Sequence, residues 1–237
     1  MKGIILAGGA GTRLYPVTKV VNKHLLLVYN KPMIYYPLNT LVNAGLKDII
    51  IVSGKENLDS FKKLLTGNGK FSNVNFNFVV QKQAAGIADA LRTCKKLTKG
   101  EKIVAVLGDN IIEDDITEII SNFEKQNQGA RIFLKEVKQP EKFDIAIIKD
   151  NKIIDFEEKP VSPKSNLAVT GLYLYDNQIW QIIDDLQPSF RGELEITDVN
   201  NYYLKRNQLG YNILKKDWFD LDTFSTLLQA NLKMAQK

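Results

Sequence analysis

The chain has 237 residues, enough for one domain with a sizeable core or at most two small ones. Its 44% hydrophobic and 25% charged residues are ordinary for a soluble globular protein, and no long apolar run predicts a membrane span. The net charge of +5 comes from scattered lysines, so we expect neither a nucleic-acid nor a membrane partner. With Cys94 as its one cysteine and no signal peptide, the chain is expected to be cytoplasmic.

Short apolar strands alternate with amphipathic helices along the chain, the pattern that indicates an α/β sheet. Strands are predicted at 3–7, 49–53, 76–80, 103–107, 130–137, 145–148, 153–156, 169–175 and 211–215. Helices are predicted at about 33–44, 57–65, 87–97, 115–126, 178–185, 196–206 and 223–235. No Pro/Ser-rich linker or repeat divides the chain, so we expect a single domain.

The most informative segment follows the first strand and reads Gly8-Gly9-Ala10-Gly11-Thr12-Arg13. Glycines let the backbone turn sharply and bring N–H groups close to phosphate oxygens, and Arg13 adds a permanently charged fork. The loop belongs to the first strand–helix unit, and open α/β sheets bind ligands at the carboxyl ends of their strands. We therefore expect an anion site, with a tight turn that holds no ligand as the alternative.

Spacing excludes two familiar phosphate loops. A dinucleotide fingerprint that starts at Gly9 would need a glycine where this chain has Leu14. A P-loop would close with Gly-Lys-Ser/Thr, and the sequence lacks that triplet. A dehydrogenase is therefore excluded.

The segment from the glycine loop through Lys31-Pro32-Met33 resembles the nucleotide-binding signature of the sugar-1-phosphate nucleotidylyltransferases, closest to their glucose-1-phosphate thymidylyltransferase branch. Further blocks follow in that family's order over nearly the whole chain: 81–88, 107–110, 157–160, 168–173, 191–198 and 218–220. The resemblance implies a single-domain three-layer α/β/α sandwich with a mixed, mostly parallel Rossmann-like sheet. The nucleotide-binding half would span about 1–115 and the sugar-phosphate half about 116–237, without the C-terminal extension of regulated or acetylating members.

The implied reaction transfers the nucleotidyl group of a nucleoside triphosphate to a sugar 1-phosphate and releases pyrophosphate. In this branch the substrates are dTTP and glucose 1-phosphate, and the sequence alone leaves the nucleobase and the sugar open. The attacking phosphate has a second pKa near 6, so it needs positioning, cations and a metal ion rather than a general base. The resemblance assigns catalysis to Arg13, Lys23 and Lys159. It assigns nucleotide binding to Gly8, Gly11, Thr12, Arg13, Lys23, Gln81, Gly86 and Asp109, the sugar phosphate to Asp144, Glu158, Lys159, Val169 and Tyr173, and Mg²⁺ to Asp109 and Asp220.

Each assignment has a plainer alternative. Most lysines are only solvated, an aspartate after a strand is often a turn residue, and Glu158 could be a surface ion-pair partner. The apolar run at 167–175 is typical of a core strand. A non-catalytic regulatory or scaffold homologue is the alternative function, although such a subunit would be expected to lose metal ligands or phosphate cations. The oligomeric state is left open, with a homo-oligomer among the alternatives.

Four residues depart from the family pattern. Leu27 stands where a proline is usual, which we interpret as a backbone adjustment only. His24 stands in place of a common glutamine and would either contact phosphate or point to solvent. Asp222 stands where the thymidylyltransferases usually have glycine. Asp144 replaces a glycine whose backbone contacts the sugar, so its side chain either reads the sugar or faces solvent.

Overall fold

Strand β1 (Lys2–Leu6) lies in the middle of the sheet, and its alternating side chains define the two faces. Ile4 and Leu6 pack into one apolar cluster, whereas Ile5 packs into the other, as the two-residue period of a strand requires. The computed structural model describes residues 1–67, 69–98 and 100–237.

The strands after β1 have the following bounds: β2 Leu27–Val28, β3 Lys31–Pro32, β4 Asp48–Ser53, β5 Asn75–Val80, β6 Ile103–Leu107, β7 Asn110–Ile112, β8 Ala130–Glu136, β9 Ile145–Lys149, β10 Lys152–Glu157, β11 Leu167–Tyr175, β12 Leu209–Ile213 and β13 Trp218–Asp220. The helices are α1 Tyr35–Asn43, α2 Leu58–Thr66, α3 Ile87–Arg92, α4 Lys95–Thr98, α5 Thr117–Lys125, α6 Ile179–Asp185, α7 Ile196–Lys205 and α8 Phe224–Ala235.

The main sheet of the described residues runs in the order β10-β9-β11-β6-β1-β4-β5, with β8 paired to β11 and β12 paired to β8. Strands β5, β4, β1 and β6 are parallel neighbours, and β11 pairs antiparallel to β6. The chain moves outward from β1 to β5 and then returns to the other side of β1 with β6. The strand order therefore reverses between β1 and β6, and a crevice opens at such a point.

Helices cover both faces of this sheet, which gives three layers. One cluster includes Leu91 of α3, Ile183 of α6 and Val199 of α7. The opposite cluster includes Phe61 of α2 and Phe123 of α5. The predicted fold class is confirmed. Among the described helices, none is both long and apolar enough to cross a membrane.

Two local predictions need correction. The helix expected at 87–97 is broken into α3 and α4, because Cys94 N–H bonds to the Leu91 carbonyl and interrupts the regular four-residue ladder. The short strands β7 and β13 were not expected. They pair antiparallel, with Asp220 opposite Asn110, and sequence periodicity cannot reveal a pairing between segments so far apart along the chain.

Candidate active site

Two adjoining cavities open at the carboxyl ends of β1, β5 and β6. The larger, which we call the outer cleft, has a volume of about 380 Å³, and the smaller, the inner pocket, about 230 Å³. Lys23, Ile87, Leu107 and Asp109 line both cavities and mark the junction between them. The outer cleft receives Gly11, Thr12, Arg13, Asp144, Lys159, Val169, Tyr173 and Asp220. The inner pocket receives Gly8, Gln81 and Gly86.

The glycine loop runs along both cavities and presents unpaired backbone donors. Among the described residues, none accepts a hydrogen bond from a backbone N–H between Gly8 and Arg13. Two side chains hold the carbonyl groups of this segment in place. Thr18 Oγ1 donates to the Gly11 carbonyl at 2.6 Å, and Asn22 Nδ2 donates to the Ala7 carbonyl at 3.3 Å. A row of fixed, unpaired N–H groups beside Arg13 is suited to an anion.

Gly11 allows the bend in this loop. Its φ is +62°, in the left-handed region, and a Cβ there would lie 3.1 Å from Lys23 Cβ and from Thr18 Cγ2. Any larger residue would push the loop away from Lys23.

An ion pair occupies the junction of the cavities, where Lys23 Nζ donates to Asp109 Oδ2. Both side chains are about nine-tenths buried. Burial alone would raise the pKa of Asp109, but the Lys23 ammonium holds it below the ordinary value, and Asn110 Nδ2 also donates to Oδ1 at 3.1 Å. Asp109 is therefore ionised at neutral pH.

Asp220 is the second carboxylate beside this junction. It is on β13 and pairs with Asn110 of β7. Burial, followed by the negative charge of Asp109, raises the pKa of Asp220 to about 7. Two oxygen-donor side chains that repel each other in one cleft fit a hard divalent cation, which takes its remaining ligands from substrate phosphates. Among the described residues, no group of three His, Cys, Asp or Glu side chains has the arrangement of a metal site.

Asn110 organises this region, and sequence reasoning missed it. Besides its bond to Asp109, its Oδ1 accepts from Gly171 N at 3.0 Å and from Trp218 Nε1 at 2.7 Å. It therefore ties β7, β11 and β13 together beside both carboxylates. The available sequence signal was its place in the block 107–110, directly after Asp109.

His24 is buried, so the solvent-facing alternative is wrong. Asn22 Oδ1 accepts from the His24 backbone N–H at 2.9 Å and lies 2.7 Å from Nδ1. The Asn22 amide is oriented by its bond to Ala7, so Nδ1 carries the proton and Nε2 is an acceptor. Burial, and then the charge of Lys23, lower the pKa of His24 to about 3. The ring is neutral and lines the inner pocket.

Gln81 and Gly86 both line the inner pocket. Gln81 Nε2 donates to Asp89 Oδ2 at 3.0 Å and to the Gly86 carbonyl at 3.3 Å, which leaves Oε1 as a free acceptor facing the glycine loop. Gly86 has φ +98°, and a Cβ there would lie 2.4 Å from the Leu194 carbonyl oxygen. Only glycine fits where α3 packs against the segment that contains Leu194.

Arg13 and Glu158 each pair with another residue rather than standing free. Arg13 Nη1 forms an ion pair with Asp222 Oδ2 at the mouth of the outer cleft. Glu158 Oε1 lies 2.6 Å from Arg191 Nη2 and lines neither cavity. Lys142 and Thr197, which were not singled out in the sequence, also line the outer cleft.

Comparison with known proteins decides the family. The profile of the nucleotidyl transferase family matches residues 2–237. This chain belongs to that family. It is 44% identical over 234 residues to the glucose-1-phosphate thymidylyltransferase of Neisseria meningitidis, a match that covers 97% of this chain and 81% of that protein. It is 41% identical over 235 residues to the enzyme of that name from Mycolicibacterium smegmatis, covering 98% and 81%.

Solved structures agree with this family. A crystal structure of a Bacillus anthracis protein described as a glucose-1-phosphate thymidylyltransferase, in complex with sucrose, is 48% identical and superposes with a TM-score of 0.92. The match covers 98% of this chain and 94% of that chain. A UDP-glucose pyrophosphorylase, 24% identical with a TM-score of 0.87, shares the fold. The protein is thus a nucleotidyl transferase, and the enzymatic interpretation is supported over the non-catalytic alternative.

Proposed function

We propose that this nucleotidyl transferase joins a thymidylyl group from dTTP to glucose 1-phosphate, giving dTDP-glucose and pyrophosphate. The observation that carries the proposal is the row of unpaired N–H groups from Gly8 to Arg13, which runs along both cavities beside Lys23. Such a row can hold a triphosphate whose base enters the inner pocket and whose α-phosphate lies at the junction. The names of the similar enzymes from Neisseria and Mycolicibacterium supply the substrates.

The inner pocket supports thymine as the base. Gln81 Oε1 is a free acceptor, and among the described residues none accepts from the Gly86 backbone N–H. An acceptor beside a donor matches the imide edge of thymine or uracil, which presents an N–H next to a carbonyl. Cytosine and adenine present an acceptor nitrogen at the corresponding position and would meet Gln81 Oε1 unfavourably.

The cations of the outer cleft support an in-line displacement. A phosphate oxygen of the sugar phosphate attacks the α-phosphorus, a new P–O bond forms, and the bond to the β-phosphate breaks as pyrophosphate leaves. In this proposal Lys23 and Lys159 hold the two reacting phosphates together, and Arg13 stabilises the departing pyrophosphate. No proton has to be removed, because the sugar phosphate is largely dianionic at neutral pH.

Asp109 and Asp220 are proposed to hold the divalent cation, Mg²⁺. These two carboxylates would hold the cation, which would supply positive charge to offset the negative charge of the phosphates. Lys23 now pairs with Asp109, so in this proposal its ammonium turns toward the α-phosphate when substrate arrives.

A cytoplasmic location belongs to the same proposal. Cys94 is buried, and burial raises the pKa of its thiol to about 12, so it is an inert core residue rather than a disulfide partner or redox group.

Pyrophosphate release tests the function directly. The purified protein is assayed with each common nucleoside triphosphate against a panel of sugar 1-phosphates, with Mg²⁺ and with EDTA. We expect dTTP with glucose 1-phosphate to have the highest kcat/KM, UTP to come next, and EDTA to abolish turnover. A chain that binds dTTP but releases no pyrophosphate with any sugar phosphate would contradict the proposal.

A further inference from the structure

Asp89 lies behind the inner pocket and acts on it only through Gln81. It is on α3, its side chain is about 14% exposed, and it lines neither cavity. Its Oδ2 accepts from Gln81 Nε2 at 3.0 Å, and its Oδ1 accepts from Arg92 Nη2 at 2.5 Å. Each oxygen of this carboxylate therefore has its own donor.

The Asp89 carboxylate decides which end of the Gln81 amide faces the pocket. A carboxylate only accepts hydrogen bonds, so the amide end that points at it has to be the NH2 group. The Gly86 carbonyl, 3.3 Å from Gln81 Nε2, is a second acceptor on the same side. A reversed amide would place Oε1 against two acceptors and leave both without this donor. Gln81 is thus held with its oxygen toward the pocket.

Gln81 Oε1 is open to a ligand. The described residues offer this oxygen no donor. It is not covered by protein either, because the covered side-chain atoms without a partner in the described part of the chain are Asp144 Oδ1, Trp180 Nε1 and Gln208 Oε1. A Cβ on Gly8 would lie 2.9 Å from Gln81 Oε1, so a glycine in the loop leaves the space beside it free. The orientation that Asp89 imposes is therefore presented directly to whatever fills the inner pocket.

We propose that Asp89 is a positioning residue that sets the base preference of this enzyme, by holding the Gln81 oxygen toward the base. The inference rests on the proposed function, in which the base enters the inner pocket. An oxygen in that position accepts from the N3–H of uracil or thymine, whereas N3 of cytosine is itself an acceptor and repels it. Arg92 takes part, because it engages one Asp89 oxygen and leaves the other for Gln81.

Asp89→Asn tests the proposal, since it removes one acceptor at nearly constant shape. The charged Arg92 donor should keep the oxygen of the new amide, which turns the NH2 group of that amide toward Gln81. Gln81 should then reverse and present Nε2, a donor that suits N3 of cytosine. We measure kcat/KM for dUTP and dCTP, which share their sugar and differ only at this edge of the base. The ratio of dUTP to dCTP should fall about 10- to 100-fold, as exchange of a hydrogen bond to a charged group implies.

A second substitution separates positioning from a general structural role. When Arg92→Met is added to Asp89→Asn, the new amide is free to turn its oxygen to Gln81, and the Gly86 carbonyl favours the original orientation. The preference for dUTP should then largely return, although the double variant has lost more contacts than Asp89→Asn. Arg92→Met by itself should keep the wild-type ratio, because Asp89 still accepts from Gln81.

Asp59→Asn is the matched control. Asp59 forms a comparable ion pair, three residues apart, with Lys62 on α2, and it lines neither cavity. Its ratio of dUTP to dCTP should equal that of wild type. Thermal unfolding of each variant accompanies the kinetics, because a structural role would lower stability and slow both nucleotides equally without moving the ratio.

The outcomes separate this inference from the proposed function. An active wild type whose ratio is unchanged in Asp89→Asn would overturn the inference alone, as would a lowered ratio that does not recover when Arg92→Met is added. Wild type that releases no pyrophosphate with any nucleotide and sugar phosphate would overturn the proposed function. The dissociation constants of dUTP and dCTP, measured by titration calorimetry, would then decide the inference, because Asp89→Asn should reduce the preference for dUTP in binding as well.

Discussion

Arg13, the cation at the end of the glycine loop, is held by Asp222 in an ion pair at the mouth of the outer cleft. The guanidinium is about 60% exposed and the carboxylate about 26%. In the unliganded protein, the charge proposed to receive the triphosphate is therefore already partly neutralised by a residue more than two hundred positions along the chain.

Asp222→Asn is expected to strengthen triphosphate binding. A partly exposed ion pair contributes up to about 1 kcal/mol, so its removal should lower the Kd of dTTP about 2- to 5-fold. Titration calorimetry at low and high salt measures the change, which should shrink as salt screens the pair. Asp217→Asn, which breaks an exposed pair with Lys233 on α8, should leave the Kd unchanged. Weaker binding in Asp222→Asn would mean that Asp222 positions Arg13 for the phosphates instead of competing with them.

Arg13→Ala is expected to reduce kcat on the order of 10²-fold under saturating substrates, as loss of one donor to transition-state charge does. Arg13→Lys should recover only part of this loss, because an ammonium lacks the planar fork of the guanidinium. Steady-state kinetics with pyrophosphate detection measures both variants. An unchanged kcat in Arg13→Ala would make Arg13 an ordinary surface residue.

Asp109→Asn and Asp220→Asn should both abolish metal-dependent turnover but should change stability in opposite directions. Asp109→Asn leaves the buried Lys23 ammonium without its partner and should cost about 3–5 kcal/mol of unfolding free energy. Asp220→Asn removes a carboxylate whose folded pKa is about 7 against an ordinary 3.8. That carboxylate lowers stability as pH rises from about 4 to about 7, so the variant should gain on the order of a few kcal/mol at and above neutral pH.

Urea unfolding in EDTA across that pH range measures both effects. The difference between Asp220→Asn and wild type should shrink as pH falls and approach zero only below the ordinary pKa of 3.8, where the unfolded carboxyl is also protonated. A difference that does not depend on pH, or a destabilised Asp220→Asn, would contradict the repulsion between the two aspartates.

His24 should make the protein less stable in weak acid. Its folded pKa is about 3 against an ordinary 6.5, so between these values the unfolded state binds a proton that the folded state does not. Stability contributed by the neutral ring is present above pH 6.5 and is lost as pH falls, by about 1.4 kcal/mol per pH unit. His24→Gln should flatten this dependence between about pH 7 and pH 5. Since the chain has one histidine, a slope that survives in the variant would have to come from carboxyl groups.

Gly86→Ala should impair triphosphate binding, whereas Gly45→Ala should not. Both glycines have positive φ, +98° and +88°, so each alanine should cost about 1–2 kcal/mol in backbone strain. Only at position 86 would the new Cβ meet backbone, at 2.4 Å from the Leu194 carbonyl oxygen, whereas at Gly45 nothing lies within 4 Å. We expect KM for dTTP to rise on the order of tenfold or more in Gly86→Ala alone, as misplacement of a binding group implies. Equal kinetics in the two variants would remove Gly86 from the nucleotide site.

The sequence by itself determined the fold class and the side of the candidate site that the glycine loop forms. Strand and helix periodicities are local, and the glycine loop, Gln81 and Asp109 each begin within two residues of the end of a strand. Because parallel neighbouring strands end at the same edge of a sheet, residues that follow them must meet there. The order of the family blocks along the chain added an expected role for each site residue. Those roles of individual residues remain proposals.

The tertiary structure alone decided the far side of the cleft. Asp220 reaches Asp109 because β13 pairs with β7, and Asp222 reaches Arg13 for the same reason. Sequence left two orientations open for Asp144 and for His24, and packing put Asp144 in the cleft wall and buried His24. Glu158 pairs with Arg191 and lines neither cavity. No local sequence pattern predicts this pairing. Such contacts depend on how distant segments pack, and packing is set by the whole core rather than by neighbours in the sequence.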